Sequence, residues 1–318
     1  MSTNQFIYTA QDDTPLTAYS WLSTQVSTRG CVLIVHGMMD HAQRYTEFAC
    51  HLSRSGYHVF AYDQRGHGDT GATVGLGHLD HTTTWDTLVS DCNEMIAFVH
   101  KAYPNLPLTL FGHSMGSFIA MNTLIDYSHK AAANVTSLIL SGSCYEPLLD
   151  TCVGACLSRL FLSILPGHTK GVLFHWIIFT RFNAAFSPNR TASDWISRDT
   201  QKVDSYINDP KAGFNCSIRF FNVLFRGLNT LFRPEKINKL PHVPILVLSG
   251  GDDPMPGKGL KKLHQLIAIF ENNGHTDLTT LIYPEGRHSM INEINRSDVY
   301  CDVVTWLDTQ LDKHTQTA

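Results

Sequence analysis

Residues Leu108-Thr109-Leu110-Phe111-Gly112-His113-Ser114-Met115-Gly116-Ser117 decide the reading of this chain. An apolar strand runs into Gly-x-Ser-x-Gly and then into the helical stretch Phe118 to Ile125. A strand that turns this sharply into a helix crowds the residue at its apex, and Gly112 and Gly116 remove the side chains that would block the close packing there. Ser114 is thereby held out above the sheet edge as a candidate nucleophile. The backbone N–H of Met115 opens the helix, where the partial positive charge of the helix terminus favours a developing oxyanion. A Gly-x-Ser-x-Gly pentapeptide recurs by chance, so the strand before it and the helix after it carry the inference.

Working outward, Cys31-Val32-Leu33-Ile34-Val35 and Tyr57-His58-Val59-Phe60-Ala61-Tyr62 are continuous apolar runs of the kind found in strands buried on both faces of a parallel sheet. Between them Tyr45 to Arg54 has helical spacing and stops at Gly56. Phe6 to Thr9 and Leu16 to Leu22 alternate as an antiparallel edge hairpin. The stretch Thr84 to Tyr103, with Leu88, Met95, Ile96 and Val99, predicts a helix ended by Pro104. Ser137 to Leu140, Pro244 to Leu248 and Leu278 to Tyr283 add strands, and Leu260 to Phe270 and Ser297 to Leu311 add helices.

About a hundred residues separate the strands at Ser137 and Pro244, far beyond an ordinary crossover connection, so an insertion lies between them. Its composition shifts to short apolar helices broken at Pro166-Gly167 and Ser187-Pro188. The expected architecture is an α/β, doubly wound, mostly parallel sheet, with residues 1–146 and 235–318 as core and 147–234 as a helical cap above the carboxyl edge.

Composition excludes several classes. With 43% hydrophobic and 16% charged residues the chain reads as globular throughout. Lys and Arg number 24 against 28 Asp and Glu, a net charge of −4 without a basic stripe, which argues against nucleic-acid binding. The start, Met1-Ser2-Thr3-Asn4-Gln5, shows neither a basic n-region nor an apolar h-region, and the cap has no stretch as long as a membrane span; a cytoplasmic protein is expected. Eight cysteines sit in apolar surroundings and read as small buried hydrophobes. Cys152-x-x-x-Cys156 is the one close pair, and it lacks the second pair or nearby histidine that a zinc site needs. The seventeen histidines include no His-Glu-x-x-His, so neither metal nor cofactor is expected. Gly251 to Gly259 fails as a phosphate loop on spacing, and Gly259 stands where Ser or Thr is required.

A serine hydroxyl is a poor nucleophile at neutral pH and needs a base, with a carboxylate to orient that base. The strand Ile245 to Leu248 runs into Ser249-Gly250-Gly251-Asp252-Asp253-Pro254, and the strand Leu278 to Tyr283 runs into Pro284-Glu285-Gly286-Arg287-His288. Ser, Asp, His is the chain order of α/β-hydrolases. His288 is the expected general base. Adjacent Asp252 and Asp253 point in opposite directions, so only one faces the histidine; Asp253 is the choice, and a carboxylate of Asp252 on the imidazole would reverse it. The second oxyanion donor is expected from His36-Gly37-Met38-Met39-Asp40-His41, with the Met38 N–H as candidate.

His36-Gly37 with His41 and Tyr45, Asp63-x-Arg65-Gly66-His67-Gly68, Gly112-His113-Ser114-Met115-Gly116, Gly250-x-x-Asp253, and Arg287-His288 with Asn292-Glu293 together resemble the monoacylglycerol lipase and lysophospholipase-like branch of α/β-hydrolases, often grouped with serine aminopeptidases. The resemblance covers both halves of the core. It implies Asp253 as the triad acid and Met38 and Met115 as the oxyanion donors. Asp40 stands where the family more usually has Glu, and Ser117 where a second glycine is common. No motif of the cap carries over.

The expected activity is a serine esterase or lipase acting on a single-chain lipid ester, with peripheral membrane contact through the apolar cap. Three alternatives stand beside it. A peptidase or amidase of iminopeptidase type would use cap carboxylates, Asp194, Asp199, Asp204 or Asp209, to bind a free amino terminus. A small-ester carboxylesterase would need no lipid, and a non-catalytic ligand-binding hydrolase fold would need no chemistry. Epoxide hydrolases and dehalogenases use Asp at the elbow, where this chain has Ser114.

Overall fold

The computed structural model describes residues 3–317, with side chains to 313; Met1 and Ser2, part of the stretch read as lacking a leader, lie outside the described residues. Eight strands form one sheet: β1 (Asn4–Thr9), β2 (Pro15–Trp21), β3 (Gly30–Val35), β4 (Tyr57–Tyr62), β5 (Leu108–His113), β6 (Val135–Ser141), β7 (Ile245–Gly250) and β8 (Leu278–Tyr283). Their spatial order is β1-β2-β4-β3-β5-β6-β7-β8. β2 pairs antiparallel with both β1 and β4, and every other pairing is parallel. The edge hairpin and the buried parallel strands expected from the sequence are thus both present.

Alternation along each strand sends side chains to two separate cores. Cys31, Leu33 and Val35 of β3 join one cluster, and Val32 and Ile34 join the other. On the second face Phe48, Ala49 and Leu52 of α1 (Thr46–Arg54) pack with Phe111, Ile139 and Leu246. On the first lie α2 (Trp85–Ala102) and α3 (Met115–Asp126). The Thr84 hydroxyl accepts from Thr87 N–H and starts α2 one residue beyond the predicted boundary.

Between β6 and β7 the chain makes a helical excursion through α4 (Leu148–Leu162), α5 (Val172–His175), a π-helical turn (Trp176–Thr180), α6 (Arg181–Ala184), α7 (Thr200–Asn208) and α8 (Ile218–Leu231). α9 (Pro234–Ile237) leads back toward β7, α10 (Lys261–Asn272) packs on the first face, and α11 (Arg296–Thr317) on the second. The excursion shares its core with the sheet: Phe174, Phe179, Trp195, Phe220 and Leu228 belong to the cluster that contains Leu33 and Leu110. Its outer side is different. Leu149, Val153 and Leu160 on α4 are exposed, and so are Cys152 and Cys156, while Cys301 is exposed on α11. That corrects the reading of all cysteines as buried, because these three fall on the outward faces of helices whose other faces make the packing contacts. Among the described residues no helix is long and apolar enough to cross a membrane, and no group of three or more His, Cys, Asp or Glu side chains has metal-ligating geometry.

Candidate active site

Ser114 sits at the apex between β5 and α3 with φ +52° and ψ −123°, a conformation that non-glycine residues adopt at a cost. A Cβ on Gly116 would collide with the carbonyl oxygens of Val35 and His36, so only glycine lets α3 start this close to the end of β3. Behind the apex, Ser114 N–H donates to Ser141 O at 2.9 Å, and the Ser114 carbonyl accepts from both N–H and Oγ of Ser117, at 2.8 and 2.6 Å. Ser117 Oγ also lies 2.8 Å from Ser143 Oγ. Sequence reading singled Ser117 out only as a departure from glycine; the hydroxyl ties the elbow to the loop after β6.

The loop after β8 delivers His288, whose Nδ1 lies 3.0 and 3.1 Å from the two carboxylate oxygens of Asp253. Both side chains are buried. Asp252 is exposed, and its backbone N–H donates to Gly286 O, away from the imidazole. Asp253 also accepts Met255 N–H at 2.9 Å, which fixes its carboxylate.

His113, which precedes Ser114, packs its ring against that of His288. The His113 ring lies 5.0 Å from that of His288, and a Cβ placed on Gly142 would lie 3.0 Å from His288 Cε1 and 3.2 Å from His113 Cε1. Burial, then the neighbouring His288, pushes His113 down to about 3, which keeps its imidazole neutral at every working pH.

The loop after β3 approaches from the other side. A Cβ on Gly37 would fall 3.2 Å from Ser114 Cβ, and Met38 follows it half-buried. Neither Met38 N–H nor Met115 N–H donates to another group among the described residues. This loop is held by the Asp63 motif: Asp63 accepts Ala42 N–H at 2.9 Å and Asp69 N–H at 2.8 Å, and Gln64 donates its N–H to His36 Nε2 at 3.0 Å and its amide to His36 O at 2.6 Å. Arg65 clamps Asp91 at 2.7 and 2.8 Å and reaches Asp12, locking that motif onto α2 and the edge hairpin.

The excursion closes over the histidine. Trp195, between α6 and α7, places its ring 5.0 Å from that of His288, backed by Phe179 and Phe182, each 5.4 Å away. Nothing in the sequence around Trp195 marked it, because the segment carries no motif and its partner lies ninety residues downstream.

A family model for serine aminopeptidase, S33, matches residues 26–295. The protein belongs to this family of α/β-hydrolases. Among its relatives are the monoacylglycerol lipase of Mycolicibacterium smegmatis, 26% identical across 92% of this chain and 93% of the relative, and the human monoglyceride lipase, 27% identical across 84% and 81%. A solved structure of similar fold is a thermostable carboxyl esterase from Bacillus coagulans in complex with glycerol, with a TM-score of 0.87 and 23% identity over 98% of this chain and 99% of that one.

Proposed function

We propose that this protein hydrolyses carboxylic esters of single-chain lipids, monoacylglycerols or lysophospholipids, through an acyl-serine intermediate. The observation that carries the reading is the buried His288–Asp253 pair beside a serine strained at a strand-to-helix apex. His288 takes the Ser114 proton as Oγ attacks the ester carbonyl. The N–H groups of Met38 and Met115 stabilise the oxyanion. Collapse expels the alcohol, which leaves with the proton that His288 held. Water, deprotonated by His288, then attacks the acyl-serine and frees the fatty acid and Ser114.

Residues 147–234 act as the cap that encloses the acyl chain. The names of the lipase relatives support a lipid ester, and a further observation favours ester over peptide. A peptidase of iminopeptidase type needs a cap carboxylate to receive an ammonium group, and the four weighed for that role, Asp194, Asp199, Asp204 and Asp209, each have partners already. Asp194 accepts from Arg190 N–H, Thr191 N–H and Thr191 Oγ, while Asp199 caps α7 and pairs with Arg296. Asp204 pairs with Arg190, and Asp209 with His41.

The same reading puts the protein in the cytoplasm with peripheral membrane contact. Leu149, Val153, Leu160, Ile164, Trp176 and Ile177 are exposed on the outer side of the excursion. Residues 151–193 carry Arg159, Lys170, Arg181 and Arg190 with no Asp or Glu, in a chain of net charge −4. Apolar side chains flanked by cations suit a lipid surface.

The test is release of free fatty acid from monoacylglycerols and lysophospholipids of several chain lengths, beside release of amine from aminoacyl arylamides. Lipid cleavage is expected, and arylamide cleavage without lipid cleavage would overturn the reading.

A further inference from the structure

The loop after β8 is tied to the loop after β7, where Asp252 N–H donates to Gly286 O, and also to the excursion, residue against residue. His288 N–H donates to Trp195 O at 3.3 Å, and Ser289 N–H to Ile196 O at 2.8 Å. The Arg287 guanidinium donates to Asp194 O and Ser197 O and stacks 4.0 Å from the Phe186 ring. Ser197 Oγ donates to Asn292 O at 2.8 Å.

A buried ion pair closes the strap. Glu293 is fully buried, and its carboxylate accepts Arg198 Nε at 2.9 Å, Arg198 N–H at 3.0 Å, Arg287 N–H at 2.9 Å and Ile294 N–H at 3.1 Å. One carboxylate therefore joins the excursion to both sides of His288. Breaking such a pair on one side leaves an uncompensated buried charge, so the two segments are held as one body.

Within this strap Trp195 alone puts a side chain against the imidazole. Its ring is tilted 40° to that of His288, is itself buried, and is held from behind by Phe179 and Phe182. Asp253 holds the imidazole at one nitrogen and the His113 ring packs 5.0 Å from it, which leaves the side toward the excursion to be closed. The Trp195 ring, tilted against the imidazole with centroids 5.0 Å apart, closes that side and limits how far the imidazole can tilt.

We propose that Trp195 is a positioning residue for His288: through the 194–198 strap, the excursion sets the plane of the general base and so completes the active site. This rests on the reading of His288 as base. Misplacement of a catalytic group by about 1 Å costs on the order of 100-fold in rate, which sets the size of effect to look for.

The test compares Trp195→Phe with Trp195→Leu on a small soluble ester. Both substitutions keep a large apolar side chain in the same space, so both are expected to fold, which circular dichroism and thermal melting establish; only Phe keeps a flat ring. The expected result is kcat within about threefold of wild type for Phe and lowered about tenfold or more for Leu, with KM unchanged in both. Equal kcat values for the two variants, or a change confined to KM, would overturn the proposal. His288→Ala runs alongside. If it leaves hydrolysis intact, the base is misassigned; if it abolishes hydrolysis while Trp195→Leu keeps full kcat, only the positioning role fails.

Discussion

His113 and His288 stand with ring centroids 5.0 Å apart, one beside the serine at the end of β5 and the other on the loop after β8. Two imidazoles this close cannot both carry charge cheaply, and burial together with the neighbouring His288 holds His113 down to about 3.

The burial of histidines around the site has a consequence for acid stability. Burial pushes His67 and His113 down to about 3, and lowers His36 as well. In the unfolded chain each would bind a proton near the ordinary value of about 6.5. The unfolded state therefore binds more protons below that pH, and stability falls as pH drops from about 6.5 toward 3. His67 and His113 each contribute a slope of about 1.4 kcal/mol per pH unit over that range. Denaturant unfolding at pH 7, 6, 5 and 4 is expected to show the decline, and His67→Gln to flatten it by about one proton; a stability constant over that range would contradict the assignment.

Asp252 and Asp253 are neighbours with opposite fates. Asp253→Asn removes the carboxylate on His288 Nδ1 and is expected to lower kcat by roughly 1,000-fold or more. Exposed Asp252→Asn is expected to stay within about threefold. Steady-state kinetics on a soluble ester separates them, and the reverse ranking would move the triad acid to Asp252.

Gly116→Ala places a methyl group against the Val35 and His36 carbonyl oxygens. The start of α3 must then move away from the end of β3, at a cost of about 1–3 kcal/mol. Because the oxyanion loop and Ser114 flank this contact, activity is expected to fall further than stability does. Thermal unfolding combined with kcat measures both, and a variant unchanged in kcat would show that the elbow tolerates the shift.

Much of this fold was legible in the sequence because the buried parallel strands are unbroken apolar runs. Cys31 to Val35 and Tyr57 to Tyr62 appear almost as read. The positions of Ser114, Asp253 and His288, the proposed triad, were legible for a related reason: strand ends fix where they emerge. The excursion was not legible in the same way. Val172 to Ala184 runs as α, π and α turns in succession, and no single periodicity describes such a segment. The strap at 194–198 lay beyond reach because its hydrogen bonds are mostly to backbone atoms, and backbone acceptors leave no trace in residue type.

The outer face of the excursion makes a prediction about surfaces. Leu173→Ser with Trp176→Ser removes two exposed apolar side chains and is expected to weaken sedimentation with phosphatidylglycerol vesicles several-fold. Hydrolysis of a soluble ester is expected to stay within about twofold. Vesicle binding by the double variant equal to wild type would remove this face from membrane contact.

The central claim is that Ser114 carries the acyl group. The most direct test incubates wild type and Ser114→Ala with a monoacylglycerol, follows fatty-acid release, and maps any acyl adduct by mass spectrometry after acid quench. The account predicts release and an adduct on the peptide containing Ser114 for wild type, and a loss of roughly 10,000-fold or more with no adduct for the variant. Release by Ser114→Ala at a rate comparable to wild type would contradict it.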